Sequence, residues 1–341
     1  MNRVPRRTGL LAVCCLAALS FAGTYAPRHR MPVAATDMGQ AVPVLRFAID
    51  NDYYPETQTP AQAAQDVALL RSIGVKILRV GMGWDDTNPA PGVYNWGFWR
   101  EFVRRAAAAD IEVHPYYLYP PAWAADHWND PPRNPADDGR ACAVMARQLY
   151  PWVRYYEVWN EVDQNIFWTG TERQYLAAPR ACAQAIRAVQ PGAKIVLAGL
   201  TSLNADWISA LNRMGGKGLY DVVAFHTYAE APWDSSPVEA LTTPGSTGPY
   251  SYAWSWEVAS DHGRLPVWMN EGGATTASDF ADSEYSQASW VPTMRRTQLA
   301  WLHEPDGTVR RVKGFDGKTI PNVEVRASAI PLLYEISPAG R

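Results

Sequence analysis

Tyr155-Tyr156-Glu157-Val158-Trp159-Asn160-Glu161-Val162 decides how the rest of the chain is read. Aromatic and β-branched residues lead into Asn160 and Glu161, the pattern of a short buried strand that delivers an amide and a carboxyl to the edge of a sheet. Leu265-Pro266-Val267-Trp268-Met269-Asn270-Glu271-Gly272-Gly273 repeats the design, again an apolar run ending in Asn-Glu, now followed by glycines that let the chain turn. Two glutamates at strand ends are a pair on which carboxylate chemistry can be built if the fold brings them together.

Outward from these anchors, strand-like and helix-like segments alternate. Strands are expected at 44–49, 76–80, 111–117, 155–161, 194–198, 221–225 and 266–270. Helices are expected at 61–73, 98–109, 134–150, 171–189, 205–214, 250–260 and 285–302, with Asn134 and Thr171 as caps and a kink at Pro179. Such alternation implies a parallel sheet with crossover helices. Seven units favour a (β/α)8 barrel over a doubly wound sheet. So does Gly81-Met82-Gly83-Trp84, which fails as a dinucleotide turn because Asp86 stands where the third glycine belongs. The eighth strand is expected at 309–315, giving a barrel over 44–316 and a divergent tail over 317–341.

Residues 1–26 read as a secretory signal: Arg3, Arg6 and Arg7 precede an apolar run from Leu10 to Ala22, and small residues follow. The run is too short for a comfortable membrane span, and no other stretch is apolar enough for one. Arg6-Arg7 partly matches a twin-arginine signal. Leu11-Ala12-Val13-Cys14 resembles a lipoprotein box, with Val13 where a small residue is wanted, so a secreted or periplasmic location is expected ahead of lipid anchoring. Residues 27–43 are a linker. Removing the signal takes three arginines and no acid, so net charge moves from −3 to −6, which offers no case for nucleic acid. With 15 Trp and 17 Tyr, the chain has aromatic rings for a large core or for stacking on sugars. Cys142 and Cys182 remain after the signal; a bond between them and two buried thiols are both open. No Cys-x-x-Cys exists, so a cysteine-based metal site is not expected.

In a barrel, reactive groups project from the C-terminal ends of the strands. Arg79 and Trp84 lie at the second, Trp123 beyond the third, Asn160 and Glu161 at the fourth, His226 and Tyr228 at the sixth and Glu271 at the seventh. This set fits glycoside cleavage, which needs one carboxyl to protonate the leaving oxygen and another, ionised, to face the anomeric carbon. Arg79 and Tyr228 are placed to keep Glu271 ionised, and Asn160 to hold a sugar hydroxyl beside Glu161. Trp84, Trp123 and Trp168, with Trp159 and Trp233, are candidate sugar platforms. Asp85-Asp86 and Asp137-Asp138 read as turn and helix-start acids.

Trp159-Asn160-Glu161 resembles the acid/base motif of clan A glycoside hydrolases, and Val267-Trp268-Met269-Asn270-Glu271-Gly272 resembles their nucleophile strand, with Asn270 where Thr is usual. Arg79, Trp84 and Pro89-Ala90-Pro91-Gly92-Val93-Tyr94-Asn95-Trp96 are similar to the second-strand region of families 39 and 5, and His226-Thr227-Tyr228 to the His-x-Tyr after strand six. The resemblance implies Glu161 as acid/base, Glu271 as nucleophile, a retaining double displacement on β-linked glycans, and no cofactor. The Trp expected after strand eight has no clear counterpart, so the alternative is a glycan-binding protein on the same barrel that has lost catalysis. A serine elbow and a His-Glu-x-x-His zinc motif are both missing.

Overall fold

The computed structural model describes residues 46–226 apart from 52 and 56, and residues 258–259, 261, 264–271 and 327–329. Eight parallel strands form one sheet: β1 (Arg46–Asp50), β2 (Ile77–Gly83), β3 (Glu112–Leu118), β4 (Tyr155–Val158), β5 (Lys194–Leu197), β6 (Val223–His226), β7 (Val267–Glu271) and β8 (Ala327–Ala329). Their order is β5-β4-β3-β2-β1-β8-β7-β6. Parallel bridges Val196 to Val222 and Leu200 to Phe225 join the two ends, so the sheet closes into a (β/α)8 barrel.

The helices described between strands are α1 (Pro60–Ser72), α2 (Trp84–Thr87), α3 (Gly97–Ala108), α4 (Pro135–Leu149), α5 (Glu172–Val189) and α6 (Ala205–Leu211). Local chemistry explains their starts. Thr59 with Gln62, and Thr171 with Gln174, form capping boxes, and the Asn134 side chain accepts from the Ala136 amide ahead of Pro135. α5 continues through Pro179 as one element. No described helix is long and apolar enough to cross a membrane.

β8 corrects the expected closure. The strand between β1 and β7 is Ala327–Ala329, within the stretch set aside as a tail, while 309–315 lie outside the described residues. Three small residues carry no periodic signal, and the stronger apolar run nearby is at 330–336. The helices expected at 250–260 and 285–302 also lie outside the described residues, except for helical positions 258–259.

Two apolar layers hold the barrel. Outside the sheet, helix faces such as Trp99, Phe102, Val103 and Ala106 of α3 pack on the strands. Cys142 of α4 and Cys182 of α5 are bonded, resolving the open cysteine question and tying together the helices that flank β4. Inside the sheet, Ala48, Ile77, Val196, Val222, Ala224 and Trp268 form a separate cluster with Tyr155 against it. His114 stacks on Trp268 with ring centroids 5.1 Å apart and touches Tyr155 at 4.9 Å, so it belongs to this plug. Strand alternation puts the next inward position two residues on. Past Ala48, Ile77, Tyr155 and Trp268 those positions are Asp50, Arg79, Glu157 and Asn270, all buried. The barrel therefore changes from apolar to charged in one step toward its C-terminal end.

Candidate active site

Arg79 is the centre of the charged layer. Its Nε and Nη2 donate to the two Glu157 oxygens at 2.9 Å each, Nη1 donates to Asp50 at 2.7 Å and Glu271 at 2.6 Å, and Nη2 also donates to Asn160 Oδ1 at 2.7 Å. The guanidinium lies 3.9 Å from the Tyr116 ring centroid, a cation–π contact. Burial alone would lower the Arg79 pKa; Glu157, Asp50 and Glu271 together raise it well above its ordinary value. The arginine is a fixed positive charge.

Glu161 and Glu271 reach this centre by different local devices. After β4, Trp159 (φ 76°) and Glu161 (φ 41°) take left-handed backbone, which L-residues adopt only when their surroundings impose it. The Glu161 amide donates to the Gly199 carbonyl at 2.8 Å, fixing the turn against the end of β5. In β7 the register slips: Phe225 pairs with Met269, but His226 pairs with Glu271. That extra residue is a bulge, and it lets the consecutive Asn270 and Glu271 both reach groups inside the barrel.

His226 stands between the two glutamates. Its Nδ1 lies 2.7 Å from Glu161 Oε1 and its Nε2 lies 3.5 Å from Glu271 Oε2. Glu161, His226 and Glu271 each place one polar atom within 4.8 Å of the others. The imidazole faces each carboxyl with a different nitrogen: Nδ1 is at hydrogen-bond distance from Glu161, while the buried Nε2 makes no hydrogen bond among the described residues and lies near Glu271. In the second cluster of potential ligands, Asp138 with Cys142 and Cys182, the sulfurs are bonded to each other. The glutamate side chains are 13% and 11% exposed, enough to meet a ligand, while the histidine side chain is sealed.

Gly199 is required here. A Cβ at this position would lie 2.1 Å from His226 Nε2 and 2.9 Å from Asn270 Oδ1.

The expected site residues divide. Arg79, Asn160, Glu161, His226 and Glu271 converge. Tyr228 lies outside the described residues, as does Trp233. Trp84 and Trp168 are corrected: both are buried, Trp84 edge-on to Trp123 at 5.7 Å and Trp168 edge-on to Trp159 at 4.8 Å, so neither offers a face to a sugar. Trp159 is buried as well. Their large apolar area gains more in the core, about 1.5–3 kcal/mol per large side chain. Trp123 stays half-buried, with its Nε1 donating to the Asn88 carbonyl at 3.0 Å.

Three partly exposed rings, Tyr119, Trp128 and Phe167, form a strip on the loops after β3 and β4, with centroids 5.3 and 6.1 Å apart. Glu157, Asp50 and Gly199 were missed. The available signal was a charge at an inward strand position, two residues past an apolar one.

A family model described as Beta-galactosidase matches residues 52–162, which include Arg79, Asn160 and Glu161. Beta-galactosidase YesZ of Bacillus subtilis (strain 168) is 32% identical over 62 residues, 18% of this chain and 9% of that protein. A family 39 glycoside hydrolase from Bacteroides cellulosilyticus WH2 is similar in structure, with TM-score 0.59, 17% identity, and coverage of 74% of this chain and 53% of that one. A monomeric beta-xylosidase from Caulobacter crescentus CB15 gives TM-score 0.57 and 17% identity over 83% of this chain and 67% of that one. The chain thus spans about half to two thirds of these solved structures. It resembles clan A glycoside hydrolases and shares their barrel fold.

Proposed function

We propose that this chain is a retaining β-glycoside hydrolase acting on an oligo- or polysaccharide, with Glu271 as nucleophile and Glu161 as acid/base. The carrying observation is the pairing of Glu161 and Glu271 across His226, with polar atoms within 4.8 Å of one another and, among the described residues, a guanidinium on Glu271 and none on Glu161. Retention calls for carboxyls about 5–5.5 Å apart; inversion needs about 6.5–9.5 Å to seat a water between base and sugar. The short approach supports retention.

In the first step a Glu271 oxygen bonds to the anomeric carbon. The bond to the leaving oxygen breaks, and that oxygen takes the Glu161 proton. In the second step Glu161 takes a proton from water, the water oxygen bonds to the anomeric carbon, and the ester bond breaks to regenerate Glu271. Arg79 serves this cycle by favouring the ionised form of Glu271 before attack and after release. The interior gathers three carboxyls about one guanidinium, an acidic surrounding that favours the positive charge developing on the sugar ring. The named relatives, a β-galactosidase and a β-xylosidase, support a β-linked substrate.

Export belongs to the same proposal. Residues 1–26 have the pattern of a cleaved signal, and the Cys142–Cys182 bond supports an oxidising compartment.

The test is a panel of 4-nitrophenyl β-D-galactoside, glucoside, xyloside and mannoside, with the first-formed anomer read by proton NMR. Wild-type protein should release a β-anomer from at least one. Glu271→Gln should lower turnover by roughly 10⁴-fold or more while the melting temperature holds. Wild-type rates in that variant, or an α-anomer formed first, would sink the assignment. Binding without cleavage of any glycan would favour a carbohydrate-binding barrel.

A further inference from the structure

Midway along β4, Glu157 is a buried carboxyl that the two-step mechanism does not use. Its contacts all lead toward the nucleophile. Oε1 and Oε2 accept from Arg79 Nη2 and Nε, Oε2 also accepts from Asn270 Nδ2 at 2.8 Å, and Oε1 from the Gly199 amide at 2.8 Å. Four donors from β2, β7 and the end of β5 meet on one side chain.

We propose that Glu157 is a positioning residue for Glu271: it grips the Arg79 guanidinium along one edge and the Asn270 amide beside the bulge, and so sets both the place of the nucleophile and its share of the arginine's charge. This rests on the reading of Glu271 as nucleophile. A two-point grip on Nε and Nη2 fixes the guanidinium plane, which leaves Nη1 aimed at Glu271 and Asp50. Holding Asn270 anchors the backbone immediately before Glu271. Stability alone is a poor account of this arrangement, because buried ion clusters are commonly no better than well-packed apolar groups of the same volume.

Charge sharing makes the proposal directional. The charged or titratable groups facing Glu271 among the described residues are Asp50 from β1, Arg79 from β2, Glu157 from β4, Glu161 beyond it and His226 from β6. Glu157→Gln keeps the size and one acceptor but removes a carboxyl competing for Arg79. Glu271 then takes more of the cation, and its ionised form persists to lower pH.

The experiment uses full-length protein labelled with [5-¹³C]glutamate. The Glu271 signal is assigned by its loss in Glu271→Gln and titrated in wild type and in Glu157→Gln, alongside kcat and KM on the best-cleaved 4-nitrophenyl glycoside. Glu157→Gln should lower the Glu271 midpoint by about one pH unit and kcat by roughly 10- to 100-fold, with KM within about twofold. A purely structural Glu157 would lower the melting temperature and leave the midpoint and the kcat per folded molecule where they were; that result, or a raised midpoint, overturns the proposal. If Glu157→Gln does not fold, Glu157→Asp keeps the charge and shortens the grip. Lower kcat at a nearly unmoved midpoint then supports positioning, and wild-type kcat overturns it. If no glycoside is cleaved at all, the nucleophile reading fails, and the NMR midpoint still decides whether Glu157 governs the charge on Glu271.

Discussion

The ends of β4 and β7 carry the same dipeptide, and the barrel puts it to opposite uses. Asn160 accepts from Arg79 through its oxygen, whereas Asn270 donates to Glu157 through its nitrogen. Glu271 lies 2.6 Å from a guanidinium nitrogen; among the described residues no lysine or arginine pairs with Glu161, whose side-chain partner is His226. A left-handed turn presents one pair, and a bulge presents the other. An acid and a nucleophile therefore differ here by surroundings, since the side chains are identical.

The strongest way to break this comparison is to remove each glutamate and offer azide. Glu271→Gly should lose roughly 10⁴-fold in turnover and, with azide and an activated glycoside, yield the α-glycosyl azide. Glu161→Ala should lose roughly 10²- to 10³-fold and yield the β-glycosyl azide. Exchange of the two products, read by NMR, would reverse the roles.

A smaller effect is expected from Gly199→Ala, which pushes a methyl into His226. Displacing the imidazole separates it from both carboxyls, so kcat should fall roughly 10²-fold, and overpacking should cost about 1–3 kcal/mol in urea unfolding. Unchanged kcat would show that the place of the imidazole between the glutamates is dispensable.

Asp138 sharpens the lesson away from the rim, with the least effect on turnover. It is buried in α4, and burial pushes its carboxyl up to about 8. A carboxyl with a raised folded-state pKa binds more protons folded than unfolded. Its contribution is fully present below the unfolded pKa near 4 and is lost as pH rises toward 8. Wild-type stability should therefore fall over that window by roughly 6 kcal/mol from this group, and Asp138→Asn should flatten the slope. An unchanged slope in denaturant unfolding at several pH values would show that Asp138 is not its source. At Glu271 a buried carboxyl meets a cation; at Asp138 none pairs with it among the described residues, and the proton is retained instead.

Much of the fold was legible because the strand–helix alternation and the helix caps are local signals. Asn134 and Thr171 announced α4 and α5 through side-chain chemistry that needs only the next few residues. The two Asn-Glu strand ends were legible for the same reason. β8 was not, because three small residues owe their strand geometry to β1 and β7 rather than to their own propensity. Trp84 and Trp168 misled because a tryptophan near a strand end reads alike whether it faces core or ligand. Glu157 was passed over because its partners lie 78 and 113 positions away in sequence.

The sequence by itself determined which side chains arrive at the strand ends: alternation along each strand chooses an inward face, and Asn-Glu stands at the end of two of them. Only the tertiary structure decided what each side chain does there. Barrel closure brought Arg79 to Glu271, Glu157 to Asn270 and His226 between two glutamates. Electrostatic interactions depend on distance in space and on burial, and neither is written in the spacing of residues along the chain.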